Sequence, residues 1–172
     1  MKTATHPVAL YQLSYSQLKT YLFAALFIVG NIALPQLCHL IPQGGIIFLP
    51  IYFFTLIAAY KYGFAVGLTT AVLSPVVNNA IFGMPPTAML PIILIKSVTL
   101  AVAAALIAKK TNKVTLLTIA LAVIAYQLIG SLAEWAITGS IEKASQDIIL
   151  GWPGCLIQIV GGYLILRYIL KK

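Results

Sequence analysis

Residues 88–108 read AMLPIILIKSVTLAVAAALIA, an apolar run that contains a single charged residue, Lys96. A helix needs about 20 predominantly apolar residues to cross a bilayer, so this stretch predicts a membrane-spanning helix. Five further apolar runs flank it, and together the predicted spans lie at about 20–37, 46–60, 64–82, 88–108, 114–137 and 148–169. The sequence therefore predicts an all-α integral membrane protein in which residues 1–172 form one domain, a bundle of six transmembrane helices.

The composition of the 172-residue chain supports the same fold class. Hydrophobic residues make up 61% of the chain and charged residues 8%, and the mean hydropathy is +1.00. Soluble domains carry about 25% charged residues, and a chain with so few cannot cover a water-exposed surface. The sequence contains no GxxxxGK[ST], HExxH or GxSxG motif, and its polar residues form no nucleophile–base or metal-binding set. We therefore expect no enzyme, no intrinsic cofactor and no metal site.

The net charge of +8 is explained by membrane topology. If the N-terminus is cytoplasmic, the outer loops hold one basic residue, Lys143, and the cytoplasmic side holds Lys2, Lys19, Lys61, Lys109, Lys110, Lys113, Arg167, Lys171 and Lys172. This distribution follows the positive-inside rule and predicts that both termini are cytoplasmic. No basic face with interleaved aromatic residues is visible, which excludes nucleic acid as a partner.

Lys96 is the one basic residue that topology does not explain. It lies about 12 Å inside the fourth span, where a charge costs about 2.5–3.5 kcal/mol even on the lenient insertion scale. Its ammonium can reach toward the outer headgroups, pair with Glu134 near the outer end of the fifth span, or bind a carboxylate or phosphate of a ligand. These three alternatives remain open at the level of the sequence, and Glu134 could instead meet a cationic group of a ligand.

Further polar residues fall in the outer half of the predicted bundle, on five different helices. Polar side chains in hydrocarbon are costly without partners, so their convergence at one level predicts a cavity that opens outward. The alternative for any single Asn or Gln is an interhelical hydrogen bond, worth about 0.6 kcal/mol. With one aromatic residue at the same level, the candidate substrate-binding residues are Asn31, Asn78, Asn79, Lys96, Gln127, Glu134, Gln158 and Trp152.

Six short segments follow one another in order over about residues 46–165: FLPI at 48–51, KYGFAVG at 61–67, SP at 74–75, GMPP at 83–86, LP at 90–91 and WPGCLIQ at 152–158. In these segments the chain resembles a known family, the substrate-binding S-components of energy-coupling-factor (ECF) vitamin transporters. The first helix has Ala25, Val29 and Ala33 where the family often carries an Ala-x-x-x-Ala pattern for contact with the coupling subunit.

The resemblance implies high-affinity binding of a vitamin or related micronutrient from outside the cell and its release inward. It also implies a transmembrane coupling subunit and two ATPase subunits that hydrolyse ATP, in the cytoplasmic membrane of a bacterium or archaeon. Loops at 38–45, 83–87 and 138–147 would cover the pocket, which makes His39, Gly83, Met84, Pro85 and Pro86 candidate gating residues. Two other functions remain open, a scaffolding subunit of a cell-envelope complex and a solitary secondary transporter.

Overall fold

The computed structural model describes residues 8–170, in which helices are the only regular elements. The α-helices are α1 Leu18–Cys38, α2 Gly44–Phe48, α3 Phe53–Tyr62, α4 Phe64–Phe82, α5 Leu90–Thr111, α6 Leu116–Thr138, α7 Ile141–Ile149 and α8 Trp152–Leu164. Short 3-10 turns, Pro50–Tyr52 and Thr87–Met89, lead into α3 and α5, and a π-helical turn, Ile165–Ile169, extends α8.

Six helical segments are long and apolar enough to cross a membrane, which confirms the predicted all-α class and the number of spans. They are Leu18–Cys38, Gly44–Tyr62, Phe64–Phe82, Thr87–Thr111, Leu116–Thr138 and Trp152–Ile169. The last span begins at Trp152 rather than at residue 148, because residues 141–149 form the separate helix α7. The chain is therefore a multi-pass membrane protein by the length and composition of its helices.

The second span is the most buried of the six and is broken near its start. Leu49 adopts a left-handed conformation (φ 45°), and Pro50 follows it without a backbone N–H. Such breaks are tolerated at membrane depth where the freed backbone groups find partners in the protein. Gln158 on α8 supplies one partner, since its Nε2 donates to the Leu49 carbonyl at 3.3 Å.

Close backbone contacts hold this central span in the bundle. A Cβ atom added at Gly67 on α4 would overlap the backbone of Ala59 on α3, so the two helices touch without intervening side chains. Small residues allow such approach in membrane helices, where packing drives association. By contrast, the first and last spans are the least buried of the six, and α1 exposes Leu22, Leu26 and Val29. These apolar outer faces are suited to contact with lipid.

Lys61, in the last turn of α3, forms hydrogen bonds with both ends of the described chain. Its Nζ donates hydrogen bonds of 2.5 Å to the carbonyls of Ala9 and Leu170, and it lies 5.1 Å from the centre of the Tyr11 ring. The sequence places Lys61 in the break between the second and third predicted spans, and the structure shows it fully buried, where it donates to these carbonyls. The two ends of the chain therefore meet at one end of the bundle, hereafter the terminal end. Lys2, Lys171 and Lys172 lie outside the described residues.

Candidate functional site

A cavity of about 340 Å³ lies at the opposite end of the bundle from Lys61. Its walls come from the last turns of α1, the broken start of the second span, the end of α4, the start of α5, the end of α6, and α7. Most of the lining is apolar, with Pro35, Leu49, Ile51, Met89 and Ile92 among its residues. Ligand sites typically measure about 300–1,000 Å³ and combine apolar walls with a few polar groups, so this cavity is the size of a site for a small organic molecule.

Three charged side chains from three helices meet in the wall of the cavity. Lys96 on α5 is 2% exposed, and its Nζ lies 2.5 Å from Glu134 Oε2 on α6 and 2.7 Å from Asp147 Oδ2 on α7. Pairing with Glu134 was one of the three alternatives for Lys96, and the structure adds Asp147 as a second partner. A buried ammonium is tolerable only when it is paired and hydrogen-bonded, and the two carboxylates meet that condition.

Gly130 provides the space in which the stem of Lys96 lies. It precedes Glu134 by one helical turn on α6, so both residues face α5. A Cβ atom at position 130 would overlap Lys96 Cγ and lie 3.1 Å from Cε. The glycine therefore lets the lysine stem run against the backbone of α6 and brings its ammonium to the level of Glu134.

Asp147 reaches the cavity because residues 141–149 form a helix rather than the loop expected for 138–147. Ser140 caps this helix, its Oγ accepting a hydrogen bond from the Lys143 backbone N–H at 3.3 Å, and Glu142 lies in the first turn, where a negative charge is favourable. Ala144 is buried against α6, and Asp147 follows it by three residues on the same face. The carboxylate is 19% exposed, so it remains accessible from the cavity.

Two further polar side chains line the cavity with unused hydrogen-bonding capacity. Tyr52 is 2% exposed and packs on Tyr126 with 5.1 Å between ring centres, yet its hydroxyl has no hydrogen-bond partner among residues 8–170. Asn78 accepts a hydrogen bond from Gln36 Nε2 at 3.2 Å, and its amide nitrogen has no partner within the described part of the chain. Both are placed to contact a molecule in the cavity.

The predicted gating residues lie at the mouth of this cavity, with one exception. His39, Met84, Pro85 and Pro86 belong to the lining. Gly83 does not belong to it and instead ends α4 in a left-handed conformation (φ 67°). Asn79 is also absent from the lining, but its Nδ2 donates to the Pro85 carbonyl at 2.7 Å and so holds the 83–87 loop against α4.

The remaining predicted binding residues form contacts between helices and lie outside the cavity lining. Asn31 donates to Thr55 Oγ1 at 2.9 Å and to Ser74 Oγ at 3.2 Å, and its Oδ1 accepts from the Phe54 backbone N–H at 3.1 Å. It thereby connects α1, α3 and α4. For this residue the structure favours the interhelical hydrogen-bond alternative over direct contact with a ligand.

Gln127, Gln158 and Trp152 are likewise engaged elsewhere or exposed. Gln127 Nε2 donates to Cys155 Sγ at 3.0 Å, and Gln158 Oε1 accepts from the Tyr126 hydroxyl at 3.0 Å. Trp152 is 58% exposed on the outer surface of α8, a position suited to the membrane interface. Of the eight predicted binding residues, the structure therefore brings Asn78, Lys96 and Glu134 together at the cavity.

Asp147 and Tyr52 are the cavity residues that the sequence interpretation missed. For Asp147 a signal existed in the sequence. Ser140, followed by an acidic first turn and by apolar residues at 141, 144 and 148, is typical of the start of an amphipathic helix.

No protein-family model, no curated protein and no solved structure matches this chain.

Proposed function

We propose that this chain is the substrate-binding membrane subunit of a transporter that captures a vitamin or related micronutrient, in the manner of an ECF S-component. The observation that carries the proposal is the cavity of about 340 Å³, whose apolar wall holds the buried cluster of Lys96, Glu134 and Asp147. Buried charge of this kind in a membrane protein is costly and is typical of a functional site. A scaffold held together by helix contacts alone would not require such a cavity.

The distribution of basic residues supports an outward-facing cavity. Lys61, Lys109, Lys110, Lys113 and Arg167 lie at the terminal end of the bundle, whereas the exposed base at the cavity end is Lys143. By the positive-inside rule the terminal end would face the cytoplasm and the cavity would open to the outside. The proposed location is accordingly the cytoplasmic membrane of a bacterium or archaeon, with both termini inside.

Energy for inward release would come from partner subunits in this proposal. The sequence has no phosphate-binding loop, so a transmembrane coupling subunit and two ATPases would drive the transport step. The face of α1 that carries Ala25, Val29 and Ala33 is exposed and offers the coupling subunit a surface of small and apolar residues. The chain itself would bind its substrate without chemical conversion.

The proposal is tested by heat stability of the purified protein against a panel of vitamins and their precursors. A ligand that binds the folded state raises the unfolding midpoint in proportion to its occupancy. We expect one member of the panel to raise the midpoint of the wild type and of Lys143→Ala by the same amount. Lys143 is an exposed lysine on α7 and is therefore the matched control.

A second variant separates loss of the ligand from loss of the fold. Ile93→Trp fills part of the cavity and leaves the cluster of charged residues intact. We expect it to fold and to lose the response to the ligand. If no vitamin stabilises the wild type, and mass spectrometry finds no small molecule in the purified protein, the scaffolding alternative is favoured instead.

A further inference from the structure

We propose that the cavity selects an organic cation, a molecule with an apolar body and a protonated nitrogen that lies between Glu134 and Asp147. This inference rests on the proposed function, namely that the cavity binds a small molecule. From the sequence, an anionic group opposite Lys96 and a cationic group opposite Glu134 both remained open, and the structure favours the second.

The charges in the cavity wall do not balance. Lys96 contributes one positive charge and Glu134 and Asp147 contribute two negative charges, while the other ionisable side chains in the lining are His39 and Tyr52. Lys143 and Glu142 are exposed on α7 and lie outside the lining. A charge without a partner in a largely apolar cavity is costly, so a ligand that brings one positive charge completes the pairing.

The free oxygens of the two carboxylates have the same preference. Lys96 uses its contacts on Glu134 Oε2 and Asp147 Oδ2, while Glu134 Oε1 and Asp147 Oδ1 have no hydrogen-bond partner among residues 8–170. An ionised carboxylate only accepts hydrogen bonds, so these two oxygens require N–H or O–H donors. A protonated amine or amidine supplies both the donors and the charge, and bonds of this charge-assisted type are the stronger ones.

An anionic ligand would be repelled by the two carboxylates at this site. The third N–H of the Lys96 ammonium has no partner among residues 8–170, but an anion that accepted it would lie beside Glu134 and Asp147, since both carboxylates already contact Nζ. Like charges at this distance repel strongly in a site of low dielectric constant. The Tyr52 hydroxyl has no partner among the described residues and can serve a cationic or a neutral ligand, and the Asn78 amide nitrogen can donate to an acceptor elsewhere on the ligand.

The test uses three probes that share one apolar body: naphthylmethylamine, naphthylmethanol and naphthoate. Each is titrated calorimetrically into the purified full-length protein in a non-ionic detergent, with the empty micelle as blank. We expect the amine to bind most tightly, the alcohol more weakly and naphthoate not at all. This ranking is measured on the unmodified protein and so does not depend on the folding of any variant.

Two substitutions on the same helix localise the effect. Asp147→Asn removes the surplus charge and keeps the Lys96–Glu134 pair, whereas Glu142→Gln removes the same charge from an exposed position. Losing a charge-assisted hydrogen bond should weaken amine binding about tenfold or more in Asp147→Asn, and Glu142→Gln should leave it unchanged.

Three outcomes would overturn the inference. If naphthoate binds more tightly than the amine, the cavity binds small molecules but selects anions, and the proposed function stands. Equal amine affinity in the wild type and in Asp147→Asn would show that the carboxylates do not select the ligand. If none of the three probes binds, the inference fails, and the vitamin panel then decides the proposed function independently.

Discussion

Replacement of Lys96 by methionine is the perturbation that tests the cluster of charged residues most severely. Methionine keeps the length and apolar character of the lysine stem but removes the ammonium that joins Glu134 to Asp147. The two carboxylates would then face each other across the cavity wall without a counter-charge. We therefore expect Lys96→Met to lower stability far more than loss of an exposed lysine does.

The magnitude follows from the burial of the three groups. Lys96 and Glu134 are 2% and 4% exposed, and removal of one partner from a buried ion pair costs about 3–5 kcal/mol. Asp147→Asn should cost less, about 1 kcal/mol, because it leaves the Lys96–Glu134 pair balanced and because this carboxylate is partly solvated. At about 2–4 °C per kcal/mol for a chain of this length, Lys96→Met should lower the unfolding midpoint by roughly 6–20 °C.

The assay is thermal unfolding in detergent, followed by tryptophan fluorescence, for each single variant and for the combination Lys96→Met/Glu134→Gln/Asp147→Asn. Neutral replacement of a whole buried charge cluster is often tolerated, so the triple variant should recover most of the loss. Lys143→Met is the control at an exposed site and should unfold like the wild type. If Lys96→Met and Lys143→Met unfold at the same temperature, or if the triple variant is as unstable as Lys96→Met, the reasoning is refuted.

Three further substitutions test the packing described above by the same unfolding assay. Gly130→Ala should destabilise by about 1–3 kcal/mol, because its Cβ atom overlaps the Lys96 stem; an unchanged midpoint would show that the stem does not lie in this slot. Ser131→Ala should be neutral or slightly stabilising, since the buried Ser131 Oγ has no hydrogen-bond partner in the described part of the chain. Asn31→Leu should lose about 1–2 kcal/mol at about 0.6 kcal/mol for each of its three hydrogen bonds, and an equal midpoint in variant and wild type would contradict its role between α1, α3 and α4.

The six spans were predictable because hydropathy over about 20 residues is a strong signal and does not depend on tertiary contacts. Proline predicts the break of the second span at Pro50, but it does not identify broken spans reliably, because Pro35 and Pro75 lie inside continuous helices. Helix α7 was missed for a different reason. It is amphipathic and short, and a search for continuous apolar runs passes over such helices.

Residues at the site were predictable only in part, because polarity in a span does not distinguish a cavity from a helix contact. Asn31 and Asn78 lie on predicted spans at similar depth, yet Asn31 is fully engaged between three helices whereas the amide nitrogen of Asn78 is left at the cavity. The difference arises from helix rotation and from the neighbours on other helices. The partners of Lys61 also depend on tertiary structure, since only the fold brings the carbonyls of Ala9 and Leu170 within hydrogen-bonding distance of its ammonium.

The charge balance of the cavity also depended on tertiary structure. Sequence reasoning found a lysine in a span and the one acid in a neighbouring span, which together would be neutral. Asp147 changes the sign of the site because α7 folds back against α6 and carries its carboxylate to Lys96. The ligand class that we propose for the cavity therefore depends on a helix that lies outside the membrane spans.

The central claim is that the cavity between α1, α4, α5, α6 and α7 binds a small molecule, and native mass spectrometry of the protein released from detergent tests it most directly. The account predicts that the wild type retains a bound small molecule, either from the cell or from the cationic probe, and that Ile93→Trp, which narrows the cavity, loses it. Wild type and Ile93→Trp carrying the same bound mass, or neither carrying any, would contradict the claim.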